Sequence, residues 1–356
     1  MKRILYITNL PAPYKIDFFQ ELCKYEDLTV IYERSKAENR NEMWYKKTTN
    51  SFHEIYLNGI KIGEENSFDT RICSYLRALK YDFVIVNGYS SFTEMIAILY
   101  MKIHKIKFAI MCDGILVKNN SFIKRKVKRL LISSARFWLS SGSLTDQALL
   151  ECGACKDRIY HYPFTSIKKS ELCTKHYNNA AYKLKIKCHS KYMILYVGQM
   201  IYRKGIDVLI RAIDYIDLDI QLYLVGGSIN KNISDKRIKN VKFLKSNELK
   251  DFYKAADVLV LPSREDTWGL VINEALCCGT PVIATDQCGA AIEMIEKNKN
   301  GDIVPAGRAD LLGKAIKKIL LAPNYEEYIR LSLETAKKYT IEKMAKSVSE
   351  AIKKYV

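Results

Sequence analysis

Residues 255–285 read AADVLVLPSREDTWGLVINEALCCGTPVIAT, and their pattern decides the fold. Val258, Leu259, Val260 and Leu261 form a short apolar run suited to a strand buried on both faces. Pro262 ends it, and residues 263–267 form a polar loop. Gly269 opens a helix that runs to about Cys278, where Gly279 and Pro281 stop it. Residues 282–284 make the next strand. Such a strand–loop–helix aims free N–H groups and a positive dipole end past the strand's carboxyl end, which suits phosphate. Asp266 and Glu274 serve the same place. Carboxylates do not bind phosphate, but they accept hydrogen bonds from sugar hydroxyls attached to it. The stretch therefore points to a nucleotide sugar.

The run Asp266-Thr267-Trp268-Gly269-Leu270-Val271-Ile272-Asn273-Glu274, continued by Ala275 and Gly279-Thr280-Pro281-Val282, resembles the acid-x7-acid signature of the retaining glycosyltransferases of family 4, the glycosyl transferases group 1. The resemblance implies an α/β, GT-B architecture of two Rossmann-like doubly wound domains facing each other across a cleft. The family's first acid is usually Glu. Here that position holds Asp266, with Glu265 just before it, and either acid is a candidate for the sugar contact.

The chain has 356 residues, enough for two ordinary domains, and a hydrophobic share of 48%. With 57 Lys and Arg against 39 Asp and Glu, its net charge is +18, so anionic partners are expected: nucleotide phosphates, lipid headgroups or nucleic acid. Ten unevenly spaced cysteines and no secretory signal before the first strand suggest reduced thiols in a cytoplasm. No apolar run reaches the ~18 residues that span a bilayer. Asn119-Asn120-Ser121 and Asn232-Ile233-Ser234 then match a glycosylation sequon by chance.

The first half alternates strands and helices. Strands are expected at 2–8, 29–32, 83–87, 108–111 and 137–140. Helices are expected at 16–24, 67–79, 92–104, 122–132 and 143–152. This alternation indicates a doubly wound parallel sheet with its site beyond the strands' carboxyl ends, at loops 9–14, 88–91 and 112–116. None carries a G-x-G-x-x-G or Walker pattern, so this half is not read as the nucleotide site. The resemblance places the acceptor here and likens Pro11-Ala12-Pro13-Tyr14 to a bacterial surface-polysaccharide subgroup. Asp113-Gly114 stands where the family commonly has a site His. None of His53, His104, His161, His176 and His189 falls there. Asp113 is either a polar contact or general base for the sugar or acceptor, or a turn-former.

Residues 122–132, FIKRKVKRLLI, hold five basic residues and no acid, with apolar positions at 123, 127, 130 and 131. They predict a basic amphipathic helix that attaches peripherally to an anionic membrane, where each Lys or Arg contributes about 1 kcal/mol. Nucleic acid is not expected, since no recognition motif accompanies the charge. Cys152-Gly153-Ala154-Cys155 lacks the second pair a zinc site needs. No metal or cofactor is expected.

Residues 168–190 read as a Lys-rich linker. The second domain, 191–339, opens with a strand at 192–197 and the loop Gly198-Gln199-Met200-Ile201-Tyr202-Arg203-Lys204-Gly205. Lys204 offers a point charge and Arg203 directional donors for a diphosphate. The loop is similar to the family's G-R…K-G loop, with Gln199 in place of its Arg. A strand at 221–225 ends at Gly226, where backbone can approach a nucleotide closely. A strand at 241–244 and a helix to 255 follow, and the family's pattern puts Leu249 beside the base. Asp217-Leu218-Asp219 is read as a surface turn. Helices are expected at 325–339 and 341–355, the last returning to the first domain (1–167 with 340–356).

The expected activity is metal-independent, retaining transfer from a UDP- or GDP-sugar to a lipid-linked or glycan acceptor in bacterial capsule, O-antigen or exopolysaccharide synthesis. Lys204, Arg203, Gly198 and the N–H groups of Trp268, Gly269, Leu270 and Val271 would hold the diphosphate. Glu274 would hold the ribose and Asp266 or Glu265 the sugar. The alternatives are a GT-B sugar-nucleotide-binding protein without transfer activity, or a GT-B epimerase.

Overall fold

A computed structural model describes residues 1–36, 51–62, 66–115, 121–173, 179–228 and 234–356. Asn119, Asn120, Asn232 and Ile233 of the sequon matches, and Leu116, lie outside them. The chain forms two compact units, Met1–Thr165 with Thr340–Val356, and Ser166–Tyr339.

In chain order the first unit contains β1 (Arg3–Thr8), α1 (Pro13–Leu22), β2 (Asp27–Tyr32), β3 (His53–Tyr56), β4 (Ile60–Ile62), β5 (Asn66–Phe68) and α2 (Arg71–Ala78). It continues with β6 (Phe83–Asn87), α3 (Phe92–Ile103), β7 (Phe108–Cys112), α4 (Phe122–Ile132), β8 (Phe137–Ser140), α5 (Ser143–Glu151) and β9 (Ile159–His161). Seven strands form one parallel sheet in the order β3-β2-β1-β6-β7-β8-β9. Every residue of β6, β7 and β8 is buried, which is why these strands read as continuous apolar runs.

Three differences from the sequence reading have local causes. α1 begins at Pro13 rather than 16, since proline suits the first helical turn, where its missing N–H costs nothing. Residues 66–68 are not helical. They pair antiparallel with β4, and Asp69 accepts from the Arg71 N–H at 2.9 Å, so the helix starts at Arg71. The short edge strands β3 and β9 carry too few residues to show a period.

The second unit contains α6 (Asn179–Lys185), β10 (Tyr192–Val197), α7 (Ile206–Ala212), β11 (Ile220–Val225), β12 (Ile238–Val241), α8 (Ser246–Ala255) and β13 (Val258–Leu261). Then come α9 (Leu270–Cys277), β14 (Val282–Thr285), α10 (Gly289–Met294), β15 (Gly301–Val304), α11 (Ala309–Leu320) and α12 (Tyr325–Ala336). Its parallel sheet runs β12-β11-β10-β13-β14-β15. β12 lies three residues earlier than expected, because Val225 ends β11 and pairs with Val241, leaving 242–244 without a neighbouring strand. From Asn179 onward the expected linker is built into this unit. Lys183 Nζ makes a buried ion pair with Asp257 at 2.6 Å, and Asn179 donates to the same carboxylate at 2.8 Å. Asp217-Leu218-Asp219 is structural: Asp217 pairs with Lys317 at 2.5 Å, and Asp219 accepts the Lys191 N–H at 2.8 Å.

The last helix, α13 (Ile341–Tyr355), packs in the first unit against α1. Ser349 donates to Glu26 at 2.6 Å, and Tyr355 stacks on Phe137 with ring centroids 4.8 Å apart.

Candidate functional site

In the second sheet the strand order reverses between the parallel neighbours β10 and β13. The loops leaving these neighbours diverge to opposite faces and open a crevice at their carboxyl ends. Both motif stretches meet there.

After β10, Gly198 lies at φ +153°. After β11, Gly226 lies at φ +118°, and a Cβ on it would sit 2.7 Å from the Gly198 carbonyl. The bare backbones of two strand ends therefore form the crevice floor. Tyr202–Lys204 makes one 3₁₀ turn, closed by Gly205 at φ +69°. A Cβ on Gly205 would stand 2.0 Å from the Pro262 carbonyl oxygen, so the turn after β10 rests directly on the loop after β13.

Polar side chains stitch the same two loops. The Arg264 N–H donates to the Arg203 carbonyl at 2.9 Å, and the Arg203 guanidinium donates to the Glu265 carbonyl at 3.0 Å. The Arg264 guanidinium forms a two-pronged pair with Asp207, 2.7 Å on each arm, while lying 3.9 Å from the centre of the Tyr202 ring. Lys204 Nζ pairs with Asp266 Oδ2 at 2.6 Å, their side chains only 15% and 9% exposed. The structure thus brings Lys204 and Asp266 together, with Asp266 engaged by a cation. Glu265, beside it, is half-buried.

Gly269 caps α9 in the left-handed region, where a Cβ would meet Cys288 Sγ at 2.8 Å. Trp268 is buried, and its indole N–H donates to Asn273 at 3.1 Å. Its ring anchors the helix start, and only its backbone is left for a ligand. Leu270 and Val271 open α9, and their N–H groups precede any intrahelical acceptor.

Glu274 sits one turn further along α9. Its Oε2 accepts from the Tyr253 hydroxyl at 2.6 Å and its Oε1 from the Ser166 hydroxyl at 3.5 Å. Burial pushes its carboxyl up from the ordinary range, opposed by the Tyr253 hydrogen bond. Tyr253 was not singled out in the sequence; a tyrosine on the buried face of α8 reads as core until its hydroxyl is seen to need a partner. The same holds for Arg264, hidden inside a charged loop. Leu249 is half-buried on α8, one turn before Tyr253.

In the first unit, Asp113 follows β7 and accepts from the Tyr162 hydroxyl at 2.8 Å. Among the described residues no set of three His, Cys, Asp or Glu side chains could hold a metal ion, and none of the ten cysteines forms a disulfide.

Residues 183–338 match the family described as Glycosyl transferases group 1. Most of the second unit is therefore similar to that family. An uncharacterized glycosyltransferase of Methanocaldococcus jannaschii is 33% identical over 162 residues, which cover 42% of this chain and 40% of that relative's length. Among solved structures, Anabaena HepE in complex with UDP superimposes with a TM-score of 0.78 at 14% identity, over 99% of this chain and 100% of that one. Sucrose-phosphate synthase from Thermosynechococcus elongatus gives 0.76 at 18% identity, over 99% of each chain. These likenesses carry the fold: the α/β, GT-B class with two Rossmann-like domains holds for the whole chain. The matched residues include the β10–β13 crevice described above, with Lys204, Glu274 and the start of α9.

Proposed function

We propose that the chain transfers a glycosyl group, with retention and without a metal, from a nucleoside-diphosphate sugar to a hydroxyl of a lipid-linked or glycan acceptor. The observation that carries this is the convergence of Lys204, the opening N–H groups of α9 and Glu274 on one crevice. Charge develops on the departing diphosphate. Lys204 and the N–H groups of residues 268–271 are fixed donors for it, held by the stitched loops before the substrate arrives. Arg203, exposed beside Lys204, adds a second cation. Glu274, bound to Tyr253 and Ser166, keeps a lone pair for the ribose diol, and Asp266 or Glu265 meets the sugar hydroxyls. Gly198 and Gly226 let backbone approach the nucleotide, and Leu249 lies beside its base. The UDP in the HepE crystal supports a nucleoside diphosphate as the donor's leaving group.

A thermal-shift screen with UDP- and GDP-sugars tests the donor, since ligand at 100 times Kd adds about 2.7 kcal/mol of stability. No stabilisation by any of them would remove the reading. Glu274→Ala is expected to weaken UDP or GDP-sugar binding about 10- to 100-fold in calorimetry, the value of a hydrogen bond to a charged group. Unchanged affinity would refute the ribose assignment.

The acceptor is proposed to be a lipid-linked saccharide in bacterial surface-polysaccharide synthesis, met at an anionic inner membrane surface through α4. No helix among the described residues is long and apolar enough to cross a membrane. On α4, Leu131 and Ile132 enter the core, while Phe122, Ile123, Val127 and Leu130 stay exposed among five basic side chains. Exposed apolar groups interleaved with cations suit an anionic leaflet. Replacing Ile123 and Lys126 by glutamate should abolish co-sedimentation with phosphatidylglycerol vesicles; retained binding would rule out α4 as the contact.

A further inference from the structure

The first unit has a crevice of its own, where the strand order of its parallel sheet reverses between β1 and β6. Thr8 and Asn87 end those strands, and Asp113 follows β7. Lys15, in the first turn of α1, reaches back to the same point although the residue is only 7% exposed. Its Nζ donates to Thr8 Oγ1 at 2.8 Å and to Asn9 Oδ1 at 3.2 Å. The Thr8 hydroxyl passes on to Asn87 Oδ1 at 3.3 Å, and the Asn87 amide to the Met111 carbonyl at 3.3 Å. The neighbouring buried acids are taken up. Glu33 accepts from the hydroxyls of Ser67 and Ser91, and Glu94 from the N–H groups of Ser90 and Ser91 at 2.8 and 3.1 Å.

One pair is left open. Lys15 Nζ and Asp113 Oδ2 stand 3.9 Å apart, too far for a hydrogen bond. An ammonium has three donors, and Lys15 uses two of them among the described residues. Asp113 Oδ1 is held by Tyr162, while Oδ2 accepts no hydrogen bond among the described residues. Two other buried Lys–Asp pairs, Lys204–Asp266 and Lys183–Asp257, close to 2.6 Å, their aspartate side chains 9% exposed against 24% for Asp113. The wider pair has room for one atom between its members. An oxygen 2.8 Å from both would see them at about 90°. A hydroxyl, with water its stand-in before a ligand arrives, accepts from an ammonium and donates to a carboxylate through a single oxygen. Phosphate or carboxylate in that gap would be repelled by Asp113.

We propose that Lys15 and Asp113 form a saccharide-hydroxyl subsite in the first unit, one ligand hydroxyl accepting from Lys15 Nζ and donating to Asp113 Oδ2. As the acceptor's place, this subsite rests on the transferase reading; as a sugar site it stands on the geometry alone. Burial lowers the Lys15 pKa, opposed by the charges of Asp113, Glu94 and Glu33.

Saturation-transfer NMR on the full chain with a panel of methyl pyranosides (gluco, galacto, manno and N-acetylglucosamine, both anomers) tests it, with UDP and GDP calorimetry alongside. At least one glycoside is expected to bind, and Lys15→Met and Asp113→Ala each to weaken it tenfold or more, with nucleotide affinity within twofold of wild type. Binding that survives both substitutions, or binding of no glycoside at all, overturns the subsite. If Lys15→Met does not fold, Asp113→Ala, at a partly exposed side chain, decides. Failure of both nucleotides to bind while the glycoside result holds would sink the donor reading and leave the subsite standing.

Discussion

Lys204→Ala is expected to lower turnover about 10²–10³-fold, the effect of removing one preorganised donor from a developing anion. Its second consequence separates it from an ordinary surface lysine. Asp266 is buried against Lys204, so the substitution strands a carboxylate, at about 3–5 kcal/mol of stability. The double variant Lys204→Ala with Asp266→Ala removes both charges. Its melting temperature should recover most of that loss while its turnover stays low. Thermal denaturation and product assays on the wild type and three variants complete the cycle. Turnover of the single variant within twofold of wild type would end the role proposed for Lys204. A double variant no more stable than the single would mean that the pair is not the buried unit described.

The second large effect is expected at Gly205. Alanine there must hold a left-handed backbone, at about 1–2 kcal/mol. It must also push its methyl against the Pro262 carbonyl, at about 1–3 kcal/mol of overpacking. Because that carbonyl belongs to the loop ahead of α9, strain here displaces the donors on both sides of the crevice. Gly205→Ala should therefore lower the melting temperature by roughly 10 °C and weaken nucleotide binding together. Gly307 gives the matched control. It is also left-handed, but open space surrounds its Cβ position, so Gly307→Ala should lose stability without losing affinity. Equal affinities in the two variants would show that the contact with Pro262 does not support the site.

How far the residues alone foretold this arrangement depends on the distance over which each feature acts. Val258–Leu261 and Tyr192–Val197 were legible because central parallel strands are apolar on both faces, and α9 because glycine brackets it at both ends. The β4–β5 hairpin was not legible: its strands are three residues each, and the apolar members of β4 face solvent. At the site, Lys204, Glu274 and the α9 start were visible as local motifs. Their engagement was not. Lys204 meets Asp266 across 62 residues, and Tyr253 reaches Glu274 from another helix. Neither spacing has a period to read. Asp113 was visible only as a polar residue at a strand end, and its gap to Lys15 belongs to the folded sheet.

The contact of Gly205 with Pro262, with Arg203 and Arg264 fastened across the same seam, makes the two ligand-facing loops one mechanical part. Grafting residues 198–207 from a relative would leave Arg264 without its aspartate and set a foreign turn on Pro262. Transferring 198–207 together with 262–269 would carry the seam intact. For anyone redesigning donor choice in this scaffold, the smallest exchangeable unit is the pair of loops.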